Sequence, residues 1–277
     1  MISSVTDVTS IDHPGLVHYR SLKRSAEHRE QGFFIVEGNK VVERFLAGGL
    51  EVISILLTDS WFAACRENLE KRAERISVYR APGRLFRSIV GFNYHQGILA
   101  VGRVPPPQPL SSLAETSTTP RLFVALDYLS SAENTGVIIR NCAACGVQAV
   151  ISGPDSSDPY LRRSIRNSMG NIFRLSINYS HNLAETLAEL RSRFGFRIVA
   201  AHLSNRSISM HDVNFTGNCC IVLGNEQEGV GREVLDQCDV VTAIPMQAGV
   251  NSFNVACASA IMLYEAFRQR TAASSRG

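Results

Sequence analysis

The sequence predicts an α/β protein with a small N-terminal α/β domain and a C-terminal domain that has a mostly parallel sheet with helices on both faces. Short apolar runs rich in β-forming residues alternate with segments of helical spacing in both parts of the chain. Between the parts lies PPPQPLSSLAETSTTP, which has the composition of an exposed connector. We therefore predict domains at residues 1–104 and 121–277, joined by a linker at 105–120.

The N-terminal domain shows four strand-like runs and two helical segments. The runs GFFIVEG, VISILLTD, ISVYR and QGILAVGRV are rich in Val, Ile, Leu and Phe and are bounded by polar residues or glycine. NKVVERFLAGG and DSWFAACRENLEKRAER repeat apolar residues at helical spacing. Together they predict a compact unit of about 100 residues, a common domain size.

The C-terminal domain continues the alternation. Its strand-like runs are RLFVALD, GVQAVISG, FRIVAAHL, CCIVLGN and VTAIPM, and helical segments such as NTGVIIRNCAACG and NLAETLAELRSRFG separate them. Strands that alternate with helices in this way favour a parallel sheet, because each crossover carries a helix over the sheet.

Composition gives a class and a compartment. The chain has 277 residues, 45% hydrophobic and 19% charged, as in an ordinary globular protein. It has no apolar run of roughly 18 residues, and MISSVTDVTSIDHPG lacks the pattern of a signal peptide, so we expect a cytoplasmic protein with no membrane span. The seven cysteines are irregularly spaced, and the pair Cys142 and Cys145 lies in a predicted helix without a second pair at zinc spacing. We expect reduced thiols and no metal.

The charge distribution permits an RNA partner without requiring one. The net charge is +3, with 14 Lys and Arg against 11 Asp and Glu in residues 1–110 and 14 against 14 in the remainder. A small basic excess in the first part suits a polyanion, but it is equally compatible with an ordinary solvated surface.

Three strand-to-helix joints of the C-terminal domain are candidates for a ligand site, since ligands of parallel sheets bind beyond the carboxyl ends of the strands. They are ALDYLSSAENTGVIIRNCAACG, IVLGNEQEGVG and IPMQAGVNSFNVA. Asn134 and Thr135 could cap the helix of the first joint, and Arg140 would lie in its second turn. No G-x-G-x-x-G or P-loop pattern occurs, which argues against a standard nucleotide-binding enzyme.

The second and third joints could form a different kind of cofactor pocket. Gly224, together with the glycines at 229, 231 and 249, would let backbone approach a ligand closely. Ile244, Met246 and Phe253 could form an apolar slot for a flat ring. Taken one joint at a time, the same residues are better explained as turn glycines and core side chains.

Taken in order, N-T-G-V-I-I-R-N, V-L-G-N-E-Q-E-G-V and I-P-M-Q-A-G-V-N-S-F-N-V-A resemble the three motifs of the SpoU or TrmH-like family of RNA ribose methyltransferases. The segment DPYLRRSIRNSMGNIFRLSI resembles the family's stretch between the first two motifs. REQGFFIVEGNKVVERFLAGG resembles the start of its ribosomal-protein-like substrate-binding domain. The resemblance covers most of residues 17–270.

The resemblance implies a trefoil knot in the C-terminal domain, S-adenosylmethionine held in the knot, and a homodimer in which two chains contribute to each site. It implies cofactor contacts from Gly224, Ile244, Met246 and Phe253, where the last departs from the family's usual leucine. His202 follows an apolar strand and could line the same pocket or be a hydrogen-bonded structural histidine. The stretch SSAEN also departs from the family, which commonly has Asp-Pro before the asparagine.

The resemblance also implies catalytic residues, namely Arg140, Asn134, Glu226, Ser252 and Asn254. Arg140 matches the arginine proposed in the family to assist deprotonation of the ribose hydroxyl. Guanidinium groups stay protonated at neutral pH, so stabilising the developing alkoxide or fixing a neighbouring phosphate is the easier role. Glu226 and Asn134 would orient the site, while Ser252 and Asn254 would support it at the start of the last helix.

Two basic groups are candidates for RNA contacts, although each residue could also be an ordinary surface charge. One lies in the segment between the first two motifs and contains Arg162, Arg163, Arg166 and Arg174. The other lies in the N-terminal domain and contains Arg20, Lys23, Arg24 and Arg29, with Tyr19 and Phe33 nearby as stacking side chains.

The sequence therefore predicts an S-adenosylmethionine-dependent RNA 2′-O-ribose methyltransferase acting on large-subunit ribosomal RNA. A transfer RNA enzyme is the alternative within the same chemistry. A non-catalytic RNA-binding assembly factor is the alternative in another class, but such a protein would not need to keep the five candidate catalytic residues.

Overall fold

A computed structural model describes residues 2–22, 24–90, 96–115 and 120–274. Along the described chain the strands are β1 (Ile2–Asp7), β2 (Phe33–Glu37), β3 (Val52–Leu57), β4 (Ile76–Arg80), β5 (Ile98–Arg103), β6 (Leu122–Leu126), β7 (Ala149–Ser152), β8 (Ser176–Tyr179), β9 (Arg197–Ala201), β10 (Ile208–Ser209), β11 (Cys219–Leu223) and β12 (Val240–Ala243).

The helices are α1 (Val17–Arg20), α2 (Ser25–Glu30), α3 (Asn39–Ala47), α4 (Asp59–Glu70), α5 (Gly83–Val90), α6 (Leu110–Ala114), α7 (Ala132–Ala144), α8 (Arg162–Asn167), α9 (Leu183–Phe194), α10 (Arg232–Leu235) and α11 (Val255–Ser274). In the described part of the chain, no helix is both long enough and apolar enough to cross a membrane.

The chain divides into two compact units. The first consists of Met1–Pro106 and Tyr160–Phe173, and the second of Pro107–Pro159 and Arg174–Gly277. The segment 160–173 therefore packs with the first unit although it lies between strands of the second. The stretch predicted as a linker contains α6, whose Leu113 is buried in the core of the second unit.

The first unit contains a mixed five-stranded sheet in the order β1-β4-β3-β5-β2. The four strands predicted from apolar runs are present as β2 to β5, and β5 runs antiparallel to both β2 and β3. The strand β1 was missed because its sequence, ISSVTD, is largely polar, and its side chains are mostly exposed at the edge of the sheet. It pairs in parallel with β4.

The segment 160–173 is held to the first unit by aromatic packing and a buried carboxylate. Phe34 stacks with Tyr160 and Phe173, with ring centroids 5.4 and 5.7 Å apart. Glu37, only 4% exposed, pairs with both Arg162 and Arg166. Because an unpaired buried charge is costly, the two arginines and Glu37 stabilise this arrangement together.

The second unit contains a seven-stranded sheet in the order β10-β12-β9-β11-β6-β7-β8, and every pair of neighbouring strands is parallel. The predicted parallel sheet flanked by helices is thus confirmed. The inner strands β6 and β11 are buried along their whole length, as expected for a parallel sheet covered on both faces. Because β9, β11 and β12 are neighbouring parallel strands, their carboxyl ends lie at the same edge of the sheet.

Candidate functional site

A pocket of about 440 Å³ lies beyond the carboxyl ends of β9, β11 and β12 and beside the start of α11. Pockets of about 300–1,000 Å³ are typical of cofactor sites. Its walls are formed by the residues after those strands and by the loop before the helix. They include Ala201, His202, Leu223, Gly224, Glu226, Thr242, Ile244, Met246, Asn251, Ser252, Phe253, Asn254 and Met262.

The loop after β11 is folded tightly against itself. Asn225 and Gly229 exchange two backbone hydrogen bonds, of 2.8 and 2.9 Å. A Cβ atom at Gly224 would lie 2.1 Å from the carbonyl carbon of Gly229, so only glycine fits there. Gly229 has φ +74° and lies against the His202 ring. These two glycines therefore let the loop form one wall of the pocket.

A polar network connects the three sequence motifs. The side-chain amide of Asn134 donates to Glu226 Oε1 at 2.9 Å, and the side-chain amide of Asn254 donates to Asn134 Oδ1 at 3.2 Å. Ser130 also donates to Glu226, at 3.4 Å. Partial burial opposes ionisation of Glu226, but hydrogen bonds from Asn134 and from backbone amides outweigh it and hold its pKa below the ordinary value. Glu226 is therefore a carboxylate at neutral pH.

Two helices begin at this network. The Asn254 Oδ1 atom accepts the backbone amides of Ala256 and Cys257 and so caps α11. The cap of α7 is Ser131, whose hydroxyl accepts a hydrogen bond from the backbone N–H of Asn134. The prediction that Asn134 or Thr135 caps α7 was wrong, because the helix begins at Ala132, three residues before the start that an Asn134 cap would give. The Asn134 side chain is therefore free to face Glu226 and Asn254.

Arg140 does not share this network within one chain. It lies in the third turn of α7, one turn later than predicted, because the helix starts earlier. At 3.6 residues per turn, the six-residue step from Asn134 turns its side chain about 120° away. Arg140 is exposed, and its side chain makes no hydrogen bond or ion pair with the described residues. The structure thus brings together Asn134, Glu226 and Asn254, places Ser252 in the lining of the same pocket, and leaves Arg140 outside the network.

The predicted cofactor-binding residues all line the pocket: Gly224, Ile244, Met246, Phe253 and His202. His202 also accepts the Val230 amide at its Nδ1 atom, at 3.2 Å, so both interpretations left open for it apply. Apolar side chains and the backbone beside Gly224 in one lining suit a planar ring with polar edges, such as adenine. The residues present therefore fit S-adenosylmethionine.

Three residues of the site were not predicted. The side-chain amide of Asn225 donates to the Tyr128 carbonyl at 2.9 Å and so connects the loop after β11 to the loop after β6. Asp127, only 1% exposed, accepts the Gly231 amide at 2.7 Å, and burial raises its pKa although that hydrogen bond opposes the change. Ser130 reaches Glu226. Their one signal in the sequence is that polar residues directly follow two apolar strands.

The predicted RNA-binding arginines of the first unit are only partly accounted for. Arg20 and Arg24 form exposed ion pairs with Asp12 and Glu27. Arg29 is also exposed, and Lys23 lies outside the described residues. Their predicted RNA contacts remain predictions.

The proposed stacking role of Tyr19 and Phe33 is wrong. Tyr19 is fully buried and Phe33 is 4% exposed, since both pack in the core of the first unit. The Tyr19 hydroxyl is hydrogen-bonded to the hydroxyl of Ser54 at 2.9 Å. Neither ring is accessible to a base.

The arginines of the segment between the first two motifs differ among themselves. The Arg162 side chain is 19% exposed and pairs with buried Glu37, so its partner is a carboxylate of its own unit and not the phosphate that was predicted. Arg166 shares Glu37 but its side chain is 61% exposed, which keeps it available to a phosphate. For Arg163 a phosphate contact stays a prediction. No three His, Cys, Asp or Glu side chains of the described residues are arranged to hold a metal ion.

A comparison with protein-family models matches residues 121–264 to the SpoU rRNA Methylase family. The match spans more than half of the chain and includes all three motifs that meet at the pocket. The chain belongs to the SpoU rRNA methylase family. Membership confirms the predicted enzyme class, an RNA 2′-O-ribose methyltransferase that uses S-adenosylmethionine.

Relatives of this SpoU protein extend the similarity to both units. A protein of Acinetobacter baylyi named 23S rRNA (guanosine-2′-O-)-methyltransferase RlmB is 32% identical over 70% of this chain and 79% of its own length. An uncharacterized tRNA/rRNA methyltransferase of Mycobacterium tuberculosis is 30% identical over 95% of this chain and 92% of its own.

A solved structure shares the whole fold. The crystal structure of an AdoMet-bound rRNA methyltransferase from Sinorhizobium meliloti superposes with a TM-score of 0.84, covers 95% of this chain and 98% of its own, and has 24% identity. The trefoil knot implied by the sequence motifs is typical of SpoU proteins and stays a prediction for this chain.

Proposed function

We propose that this SpoU-family protein methylates the ribose 2′-oxygen of a guanosine in large-subunit ribosomal RNA. The observation that carries the proposal is the network of Asn134, Glu226 and Asn254, which joins the three motifs at the mouth of a pocket suited to S-adenosylmethionine. The target is proposed from the similarity to the A. baylyi protein that is named as a guanosine-2′-O-methyltransferase of 23S rRNA. Such a substrate would place the protein in the cytoplasm.

In this proposal the cofactor supplies an activated methyl group, and the protein aligns the ribose hydroxyl and handles its proton. Ile244, Met246, Phe253 and the backbone at Gly224, which line the pocket, would hold the cofactor. The Glu226 carboxylate, oriented by Asn134, would accept a hydrogen bond from the 2′-hydroxyl and so orient the attacking oxygen, whose proton leaves to solvent as the methyl group is transferred. Ser252 and Asn254 form the remaining polar edge.

We further propose that the active site is completed by a second copy of the chain. Helix α11 exposes large apolar side chains along one face, with Tyr264 63% and Phe267 42% exposed. Helix α7 packs against α11 and carries Arg140, which has no partner among the described residues of its own chain. Covering this face with a second copy would bury the apolar side chains and let Arg140 reach the other copy's pocket. There its guanidinium would stabilise the developing alkoxide or hold a neighbouring phosphate.

For the N-terminal unit we propose an RNA-binding role, with Arg20, Arg24, Arg29 and Arg166 contacting phosphates. Arg166 keeps more than half of its side chain exposed while paired with Glu37. Contacts of this kind position an RNA without reading its sequence, and they weaken as salt is raised.

The test is transfer of a labelled methyl group from S-adenosylmethionine to unmodified ribosomal and transfer RNA, followed by alkaline digestion. A ribose methyl group blocks cleavage of the adjacent linkage, so mapping the protected linkage names the target. Arg140→Ala is the test variant, and Arg193→Ala, on the exposed face of α9, is the control.

We expect one protected guanosine in 23S rRNA, lost with Arg140→Ala and kept with Arg193→Ala. Label in transfer RNA alone would contradict the ribosomal RNA target and support the transfer RNA alternative. Cofactor binding by calorimetry without label in either RNA would indicate the non-catalytic assembly factor.

A further inference from the structure

Tyr128 has a backbone conformation that its side chain disfavours. It follows β6 and has φ +51°, in the left-handed region that bulky residues seldom adopt. The residue is 51% exposed, so its side chain gains little from burial in the fold. Strain of this kind persists only where surrounding structure enforces it, and it is concentrated at functional sites.

The neighbours of Tyr128 enforce its conformation. Asp127 and Leu129, on either side, are buried, and the Asp127 amide donates to the Leu223 carbonyl at 2.9 Å. The Leu129 amide donates to the Ser156 hydroxyl at 3.1 Å. The Tyr128 carbonyl accepts a hydrogen bond from the side-chain amide of Asn225. The ring is thus an exposed group on a backbone fastened at three successive residues.

The position of Tyr128 relates it to the reaction. Two residues later Ser130 donates to Glu226, and Asn225, which holds the Tyr128 carbonyl, directly precedes Glu226. The ring is therefore carried on the same two loops as the carboxylate that we assign to the ribose hydroxyl. It is not among the residues that line the cofactor pocket.

We propose that Tyr128 is a stacking platform for an unpaired RNA base at or next to the target nucleotide. This rests on the proposed function, which brings a ribose to Glu226. Proteins that act on single-stranded RNA hold unstacked bases on aromatic side chains, and a preorganised ring loses little freedom on binding. A strained backbone is retained because it presents the ring outward beside the carboxylate.

The test compares Tyr128→Phe, which keeps an aromatic ring, with Tyr128→Leu, whose apolar side chain also disfavours the left-handed region but has no ring. A third variant, Tyr128→Asn, tolerates the left-handed conformation and checks folding. The substrate is an RNA fragment around the methylated position, with 2-aminopurine placed in turn at the target and at each neighbour. Quenching of its fluorescence reports stacking independently of methyl transfer.

We expect quenching at one of these positions with the wild type and with Tyr128→Phe, and none with Tyr128→Leu or Tyr128→Asn. In the latter two, kcat/KM for RNA falls about tenfold or more, since stacking of one base on an aromatic side chain commonly contributes that factor to RNA binding. Binding of S-adenosylmethionine is unchanged, and Tyr128→Asn melts no lower than the wild type.

Wild-type quenching and kcat/KM in Tyr128→Leu would overturn the proposal, as would an equal loss in Tyr128→Phe, which would assign the effect to the hydroxyl. Loss of cofactor affinity in Tyr128→Leu would also overturn it, because the residue would then shape the pocket. A wild-type protein that quenches without transferring methyl would contradict the proposed function and leave the stacking role standing.

Discussion

Asn134 is the single side chain that joins both ends of the polar network. Its amide nitrogen donates to Glu226 and its oxygen accepts from Asn254, so both of its polar atoms are used. The sequence motif identified the residue, but its assignment as a helix cap came from a local rule that Ser131 satisfies instead. The motif thus identified Asn134 as a site residue, but only the structure showed that its side chain connects Glu226 to Asn254.

We predict that Asn134→Asp lowers kcat/KM by about 100-fold or more at pH 8, since losing a preorganised polar group of an active site commonly costs that much. The change replaces a donor with a second carboxylate facing Glu226, and like charges at hydrogen-bond distance raise the pKa of one of them. Activity should therefore partly recover as the pH is lowered and that carboxylate binds a proton.

The pH profile of methyl transfer tests this directly. Asn134→Ala, which cannot bind a proton, should show no such recovery, and Asn68→Asp on the exposed surface of α4 should behave as the wild type. A profile for Asn134→Asp parallel to that of Asn134→Ala would contradict the assigned contact.

At the scale of elements, the loop after β11 depends on the absence of a side chain at Gly224. Gly224→Ala would place a methyl group against the backbone of Gly229, which cannot move without breaking the paired hydrogen bonds to Asn225. We predict that the free energy of unfolding falls by about 3 kcal/mol, in the range of severe packing defects, and that cofactor affinity falls at least about tenfold.

Thermal unfolding and calorimetry measure both effects. Gly217→Ala is the matched control, because a Cβ there has no atom within 4 Å, and its effect should stay within about 0.5 kcal/mol. Equal behaviour of the two variants would show that the loop adapts to a side chain.

The segment 160–173 is a second element whose placement rests on one residue. Glu37→Gln leaves Arg162 largely buried without its carboxylate, and breaking a buried pair costs about 3–5 kcal/mol. We predict a loss of about 3 kcal/mol in stability, together with faster amide exchange in residues 160–173. Glu43→Gln, on the exposed surface of α3, should change neither. Unchanged exchange in the segment would show that aromatic packing alone holds it.

At the scale of the whole molecule, the proposed homodimer predicts that assembly and activity are lost together. Tyr264→Glu would place a charge in the centre of the apolar face of α11, where burial of an unpaired carboxylate is costly. We expect monomers by light scattering and a loss of methyl transfer comparable to that of Arg140→Ala. Ser192→Glu on the exposed surface of α9 should remain dimeric and active. A fully active monomeric Tyr264→Glu would contradict the shared site.

The sequence by itself determined the family, the chemistry and most strands of both sheets. Apolar runs report burial along each strand, and the three short motifs meet in one hydrogen-bonded network beside the pocket. These are local signals, so they survive without knowledge of the fold. The largely polar strand β1 was missed because it carries little of that signal.

Only the tertiary structure decided which distant residues meet. Arg162 and Glu37 are 125 positions apart, and no local pattern relates them, so Arg162 was assigned to RNA when a buried carboxylate was its partner. The same holds for Tyr19 and Phe33, whose burial depends on the side chains that pack around them in the core of the first unit. Arg140 faces away from its own pocket for an equally geometric reason: the first residue of α7 sets the direction of every side chain that follows.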